Sequence, residues 1–298
     1  MFETIKEDYS GLSLALGFFD GVHLGHQKVI ANAIEYAKNN KKKSAIITFN
    51  NHPALYFGKK IDYITSIANR NKLLKETGID YIFCLDFSTE TLNTTWEEYL
   101  TQLTQKFSPS AITTGFNHTF GKSGLGTPET LEKSQAKYGF KYFQIPATKI
   151  NDEIISSTNI RNKLLSGDII GANSMLGKDF SISGKIISGN KIGRTIGFPT
   201  ANIPYPSELV KIPYGVYKVN IIIDNKTFNA IMNFGIKPTI NKTPETAIAE
   251  VHIPEFDEDI YNKNVQIYIK KLIRLEQKFE SLEELKKQIR EDLQACYE

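Results

Sequence analysis

A chain of 298 residues, 41% hydrophobic and 23% charged, is long for one domain, comfortable for two, and able to bury ordinary cores. Its 36 basic and 33 acidic residues leave a net charge of +3, too balanced to argue for nucleic-acid binding. No signal peptide or apolar stretch of membrane length is expected, and Cys84 and Cys296 lack C-x-x-C spacing or an obvious partner; the expectation is a reducing cytoplasm, with no disulfide, zinc site or cysteine nucleophile.

The apolar run 12–19 reads as a buried strand leading into Gly17-Phe-Phe-Asp-Gly-Val-His-Leu-Gly-His26. Beyond it Val29, Ile30, Ala33, Ile34 and Ala37 recur on one helix face, so the segment is a strand end, a tight turn and a helix start. Free N–H groups and the positive dipole end at such a start suit a phosphate. Gly21 and Gly25 remove side chains where a ligand would come close. His23 and His26 can both donate to α-phosphate oxygens as charge builds. H-x-G-H is the signature of nucleotidylyl transferases; the plain alternative is a helix cap with two surface histidines.

Lys41-Lys42-Lys43 reads as a solvated loop. Strand-like runs at 44–49, 81–87 and 111–116 alternate with helical patterns at 28–39, 69–77, 96–106 and 128–138. That alternation predicts an α/β unit with a parallel sheet and crossover helices. Ligands of such sheets lie beyond the carboxyl ends of the strands, and His26, His52 and Asn117 each follow a strand, so one cleft could gather them. Pro53 marks His52 as part of a strand-end loop. His118 and His252 read as structural or incidental.

In Ile155-Ser-Ser-Thr-Asn-Ile-Arg161, Ser156, Ser157 or Thr158 would cap a helix running through Leu165, and Arg161 could aim at a triphosphate. An ordinary capped helix is the alternative. A short helix from Asp168 to Leu176 stops at Gly177, and the pattern changes near residue 178. Strands follow at 181–188, 217–223, 228–233, 248–253 and 265–273, with a hairpin turn at 224–226. A helix at 281–297 is expected to carry a Ser281/Glu284 capping box and a Leu282, Leu285, Ile289 stripe. This predicts a small β-barrel with a C-terminal helix, and domains at 1–178 and 179–298.

Within that second domain, Gly189, Gly193 and Gly197 can present N–H groups to phosphates, though a barrel needs tight turns in any case. Thr200 and Asn202 are hard oxygen donors of the kind Mg²⁺ accepts. Glu250 interrupts the apolar run 247–253, which marks a solvated face or a charge held for a task.

Together these motifs resemble the prokaryotic bifunctional riboflavin kinase/FAD synthetase family, over essentially the whole chain. The first half matches its adenylyltransferase module through G-F-F-D-G-V-H-L-G-H, T-F-x-x-H-P, G-F-N-x-x-F-G and I-S-S-T-x-I-R. The second matches its kinase module through G-R-T-I-G-F-P-T-A-N, P-Y-G-V-Y, the segment from Asn233 to Thr239, E-V-H and R-L-E-Q-K-F. The resemblance implies a Rossmann-like nucleotidylyl transferase domain followed by a small β-barrel kinase domain. It implies phosphorylation of riboflavin to FMN by ATP, then adenylylation of FMN by ATP to FAD with release of pyrophosphate.

By the same resemblance His23, His26 and Arg161 would serve adenylyl transfer. Gly17, Phe18, Asp20, Gly25, Ser157 and Thr158 would line the ATP site, and His52 and Asn117 would meet FMN. Gly189, Gly193, Arg194, Gly197 and Pro199 would form the kinase phosphate loop, Thr200 and Asn202 would hold Mg²⁺, and Glu250 would be the general base. The implied partners are riboflavin, FMN and ATP, without nucleic acid or membrane; relatives leave room for a homo-oligomer, which nothing in this chain decides. Asn50-Asn51 and Lys191-Ile192 depart from the pattern of many relatives. A flavin-sensing binding protein would not need Glu250 as a base, and a pantetheine-phosphate or cytidylyl transferase would not account for the P-T-A-N barrel.

Overall fold

The computed structural model describes residues 2, 7–58, 60–189, 192–236, 247–294 and 296. The chain divides into two compact units, Met1–Ser157 and Thr158–Glu298. The first contains β1 (Ser13–Leu16), α1 (Leu24–Asn39), β2 (Ser44–Phe49), α2 (Ile67–Glu76), β3 (Tyr81–Leu85), α3 (Thr89–Asn93), α4 (Trp96–Phe107), β4 (Ala111–Gly115), α5 (Pro128–Tyr138), β5 (Lys141–Ile145) and the two-residue strands β6 (Lys149–Ile150) and β7 (Glu153–Ile154). Five strands form a parallel sheet in the order β3-β2-β1-β4-β5. This is the parallel sheet with crossover helices expected from the alternation, and its order reverses between β1 and β4.

Every residue of β1 is buried because both sheet faces are covered. Leu14, Leu16 and Ile47 join Leu100, Leu103 and Phe107 of α4 on one face. Ala15 and Ile46, one residue out of step, join Val29, Ile30 and Ala33 of α1 on the other. The expected helices are present, and local chemistry marks their ends. Ser66 caps α2, Thr95 and Glu98 make a reciprocal box at α4, and Thr127 precedes Pro128 at α5.

In the second unit come α6 (Ser157–Ser166, its first residue belonging to the first unit), α7 (Ile169–Leu176), β8 (Phe180–Lys185), α8 (Ile192–Thr195), β9 (Ala201–Pro204), β10 (Gly215–Ile223), β11 (Lys226–Ile236), β12 (Ala247–His252), β13 (Asn264–Leu275) and α9 (Leu282–Gln294). Asp168 caps α7 and Gly177 ends it with φ +69, as expected. The six-stranded sheet runs β8-β13-β10-β11-β12-β9. Its two edges meet where Ile187, just beyond β8, bridges Asn202 of β9. The sheet is therefore curled onto itself around Tyr217, Val219, Ile221, Phe234, Val251 and Ile267. Asp224 and Asn225 both have positive φ, the turn a tight β10–β11 hairpin needs.

The last helix differs from its expected pattern. Ser281 accepts the Glu284 N–H at 3.2 Å, but the Glu284 carboxylate reaches back to the Glu280 N–H at 3.1 Å, so the reciprocal box is not closed on Ser281. Leu282 is 51% exposed and outside the packed stripe. Ile289 packs as expected, and with Leu293 and Cys296 it meets Val216, Ile231 and Ile273 on the outer face of the sheet.

Candidate active sites

Beyond β1 the chain enters a constrained turn. Phe19, Gly21 and Val22 all have positive φ (59°, 80° and 43°), a conformation that is strained for a β-branched valine. Val22 N–H donates to Phe19 O at 3.1 Å, and the Gln27 side chain donates to Val22 O at 3.0 Å. The turn delivers His23 in an extended conformation to the N-cap of α1, where its Nδ1 accepts the His26 N–H at 3.2 Å. An accepting Nδ1 carries no hydrogen, so Nε2 is the N–H donor of that ring. The His26 ring stacks on it, with centroids 3.5 Å apart and planes 18° apart. A Cβ on Gly25 would lie 3.2 Å from the His23 ring, so glycine clears the space the stacked pair occupies.

The other first-unit candidates are arranged around this turn. Asp20 is buried, and its carboxylate accepts the N–H groups of Ile64 and Thr65 at 3.1 Å. It thereby braces backbone beside the turn. Ser157 Oγ donates to Asp20 O at 3.2 Å, which joins the start of α6 to the turn; Thr158 and Arg161 follow on α6 in the second unit. Gly17 leaves the sheet with its N–H on Ile47 O at 3.3 Å. The Phe18 ring meets His52 edge-on at 4.6 Å and stacks on Tyr63 at 5.9 Å. His52 begins a 3-10 turn through Phe57, and its Nδ1 accepts the Ala54 N–H. Asn117 is exposed just past β4, with its Oδ1 3.7 Å from where a Gly115 Cβ would stand. Thus the β1 turn and Asn117 both lie at the carboxyl ends of the two strands flanking the topological switch. Next to Asn117, His118 stacks on Phe120; burial lowers its pKa from 6.5 to about 4.

Arg70 was not expected. It is fully buried on α2 and donates to Phe18 O, Phe49 O and the Asn71 side chain. The available signal was a charged residue falling in the helix face of Ile67 and Leu74.

In the second unit, β-sheet register puts Glu250 opposite Asn202 on one side and Asn233 on the other. Directly opposed residues share a face of the sheet. Asn202 is buried, and its Nδ2 donates to Thr200 O at 3.3 Å. A Cβ on Gly189 would fall 2.6 Å from that amide. Gly193 accepts the Phe198 N–H at 2.8 Å, while its missing Cβ leaves room for the Phe198 carbonyl. Gly197 has φ +89, and Pro199 O accepts from His252 Nδ1 at 2.7 Å. His252 therefore anchors the approach to Thr200 from β12. Lys191, residues 237–239 and the side chains of Ile192 and Arg194 lie outside the described residues. Among the described residues no cluster of three histidine, cysteine or carboxylate side chains could hold a metal ion, and no helix is long and apolar enough to cross a membrane.

Known proteins resemble both halves. The FAD synthetase family model matches residues 5–159, and the riboflavin kinase model matches residues 176–298. The bifunctional riboflavin kinase/FMN adenylyltransferase of Bacillus subtilis (strain 168) is 35% identical over 295 residues, 97% of this chain and 93% of that protein. Its counterpart in Escherichia coli (strain K12) is 32% identical over 286 residues, 95% of this chain and 90% of that one. A crystal structure from Streptococcus pneumoniae, described as a macrolide-efflux protein, is similar with a TM-score of 0.90 at 30% identity, covering 99% of this chain and 96% of that one.

Proposed function

We propose both flavin reactions for this chain, which belongs to the bifunctional riboflavin kinase/FMN adenylyltransferase family. It phosphorylates riboflavin with ATP to give FMN and ADP, then transfers adenylate from a second ATP to FMN, giving FAD and pyrophosphate. One observation carries the reading: the stretch matched by the FAD synthetase model holds the His23–His26 stack, and the stretch matched by the riboflavin kinase model holds Glu250 opposite Asn202.

For adenylyl transfer, the geometry supports His23 and His26 as donors to the α-phosphate while the FMN phosphate attacks in line. The donors are preorganised by the N-cap bond and the stack, so little reorganisation accompanies the charge change. Phe18 and His52 form an aromatic wall suited to a planar ring, and Asn117, Ser157, Thr158 and Arg161 are assigned to phosphate and flavin contacts. For phosphorylation, Glu250 takes the proton of the ribityl 5′-hydroxyl as the bond to the γ-phosphorus forms. Thr200 and Asn202 offer hard oxygen donors of the kind that fits Mg²⁺, beside the Glu250 carboxylate that takes the proton. Bound there, Mg²⁺ would neutralise phosphate charge. Gly189, Gly193, Arg194, Gly197 and Pro199 are assigned to shaping the phosphate loop in front of it. We set the chemical division near residue 178, where the sequence pattern changes, and a cytoplasmic location accords with two free thiols.

Chromatography of products from riboflavin, ATP and Mg²⁺ tests the reading, with FMN and FAD both expected. Glu250→Gln should lose phosphorylation by about 10²–10⁴ while still converting supplied FMN to FAD. His26→Ala should accumulate FMN, with FAD synthesis reduced about 10²–10³. Wild-type protein that makes neither product would sink the reading.

A further inference from the structure

The carboxyl edge of a parallel sheet leaves strand-end carbonyls without ladder partners, and here a buried arginine takes two of them. Arg70 is 0% exposed. Its Nη1 donates to Phe18 O at 3.1 Å and its Nη2 to Phe49 O at 2.9 Å. Nε and Nη2 also reach Asn71 Oδ1, at 3.4 and 3.1 Å. The guanidinium carbon stands 4.5 Å from the centroid of the Phe18 ring. One planar group thus spans the exit of β1 and the end of β2 and supports the ring that meets His52.

Core packing alone does not call for this residue. A leucine or methionine would fill the helix face between Ile67 and Leu74 without the cost of burying a charge. The fork geometry is what an aliphatic or lysine side chain lacks. Phe18 O also accepts from Thr48 Oγ1 at 3.1 Å, so the carbonyl is held from two directions. Phe18 opens the turn that ends at His23 and His26, and Phe49 precedes the loop that carries His52. Arg70 therefore bridges the starts of these two loops.

We propose that Arg70 is a positioning residue for adenylyl transfer, fixing the Phe18 turn and the His52 loop at the separation the reacting groups need. The inference rests on reading the first unit as the adenylyl-transfer site. In the full-length protein, Arg70→Lys keeps the charge and loses the fork. Expected are a cooperative thermal transition, a kcat/KM for FAD formation from FMN reduced about 10–100-fold, a raised KM for FMN, and unchanged riboflavin phosphorylation in the same preparation. Wild-type kinetics in a folded Arg70→Lys protein would overturn the proposal, as would a loss that merely follows the unfolded fraction. If Arg70→Lys does not fold, Asn71→Ala decides, because it removes the acceptor that orients the guanidinium fork and leaves the arginine in place. A reduced kcat/KM for adenylyl transfer supports the proposal, and wild-type kinetics overturn it. Wild-type protein that makes no FAD from FMN and ATP would instead remove the underlying reading.

Discussion

His23 meets two descriptions at once: it caps α1 through Nδ1 and keeps Nε2 as its donor. The plain and the chemical readings of H-x-G-H were never exclusive, and sequence could not show this because both use the same residue. Gly189 is a different case. It was read as a phosphate-loop glycine presenting its N–H, yet it is absent from the positive-φ residues, and the structure gives it a close approach to Asn202. An alanine Cβ there would stand 2.6 Å from the Asn202 amide, so the amide has to shift from its place opposite Glu250. Gly189→Ala should therefore lower kcat/KM for riboflavin phosphorylation about tenfold or more, leaving FAD synthesis from FMN intact. Unchanged kinase kinetics would return the glycine to its simpler role. His118, read as incidental, carries a pH dependence. Its Nε2 is buried with no hydrogen-bond partner, and desolvation lowers the folded pKa from 6.5 to about 4. The unfolded chain therefore binds a proton in a window where the folded one does not. Stability is unaffected by this group above about pH 6.5, falls as pH drops from there, and stops falling below about 4. Urea midpoints should fall less across that window in His118→Phe than in the wild type; parallel curves would refute the shift.

Elements with strong periodicity and caps were legible, and short ones set by tertiary contacts were not. α1, α4 and α5 carry both an apolar face and a capping residue, and their predicted spans fall within or match the observed ones. β9 has four residues behind Pro199 and owes its pairing to β12, while β5 is an edge strand whose pattern is diluted by exposure. In α9 the stripe was assigned one turn too early, because leucines were counted without knowing what lay opposite. The helix is fastened further along. Arg274 of β13 donates to the Asp292 carboxylate at 2.8, 3.0 and 3.1 Å, Gln288 adds a bond at 3.1 Å, and Asp292 is 2% exposed. Arg274→Ala leaves a carboxylate buried without its cation, which should cost about 3–5 kcal/mol and release α9 to proteolysis. Leu282→Ala, at an exposed position on the same helix, should stay within about 0.5 kcal/mol. Equal denaturant midpoints for the two variants would show that the ion pair does not hold the helix.

At the scale of the molecule, the change of pattern near residue 178 was visible because strands announce themselves by alternation, whereas the partner of a helix leaves no local mark. α7 precedes that change, yet it belongs to the second unit. Its Ile169, Ala172, Met175 and Leu176 are buried. Asn173 donates to Ile269 O of β13 at 2.9 Å and accepts the Phe180 N–H at 2.7 Å, tying the helix to two strands of the curled sheet. Gly167, with φ +83, packs against Leu272, where a Cβ would stand 3.0 Å from Cδ2. The change of pattern near residue 178 and the boundary between the two compact units therefore fall at different places. Burying Ile, Met and Leu side chains is worth about 1.5–3 kcal/mol each, so removing α7 forfeits roughly the whole margin of a small domain. A fragment of residues 158–298 should unfold cooperatively and phosphorylate riboflavin at the rate of the full chain. One of residues 179–298 should melt well below it or be recovered as aggregate. If the shorter fragment is as stable and as active as the longer, α7 is a bystander on the barrel. If the longer fragment is folded but inert while the full chain is active, the kinase site draws on the first unit.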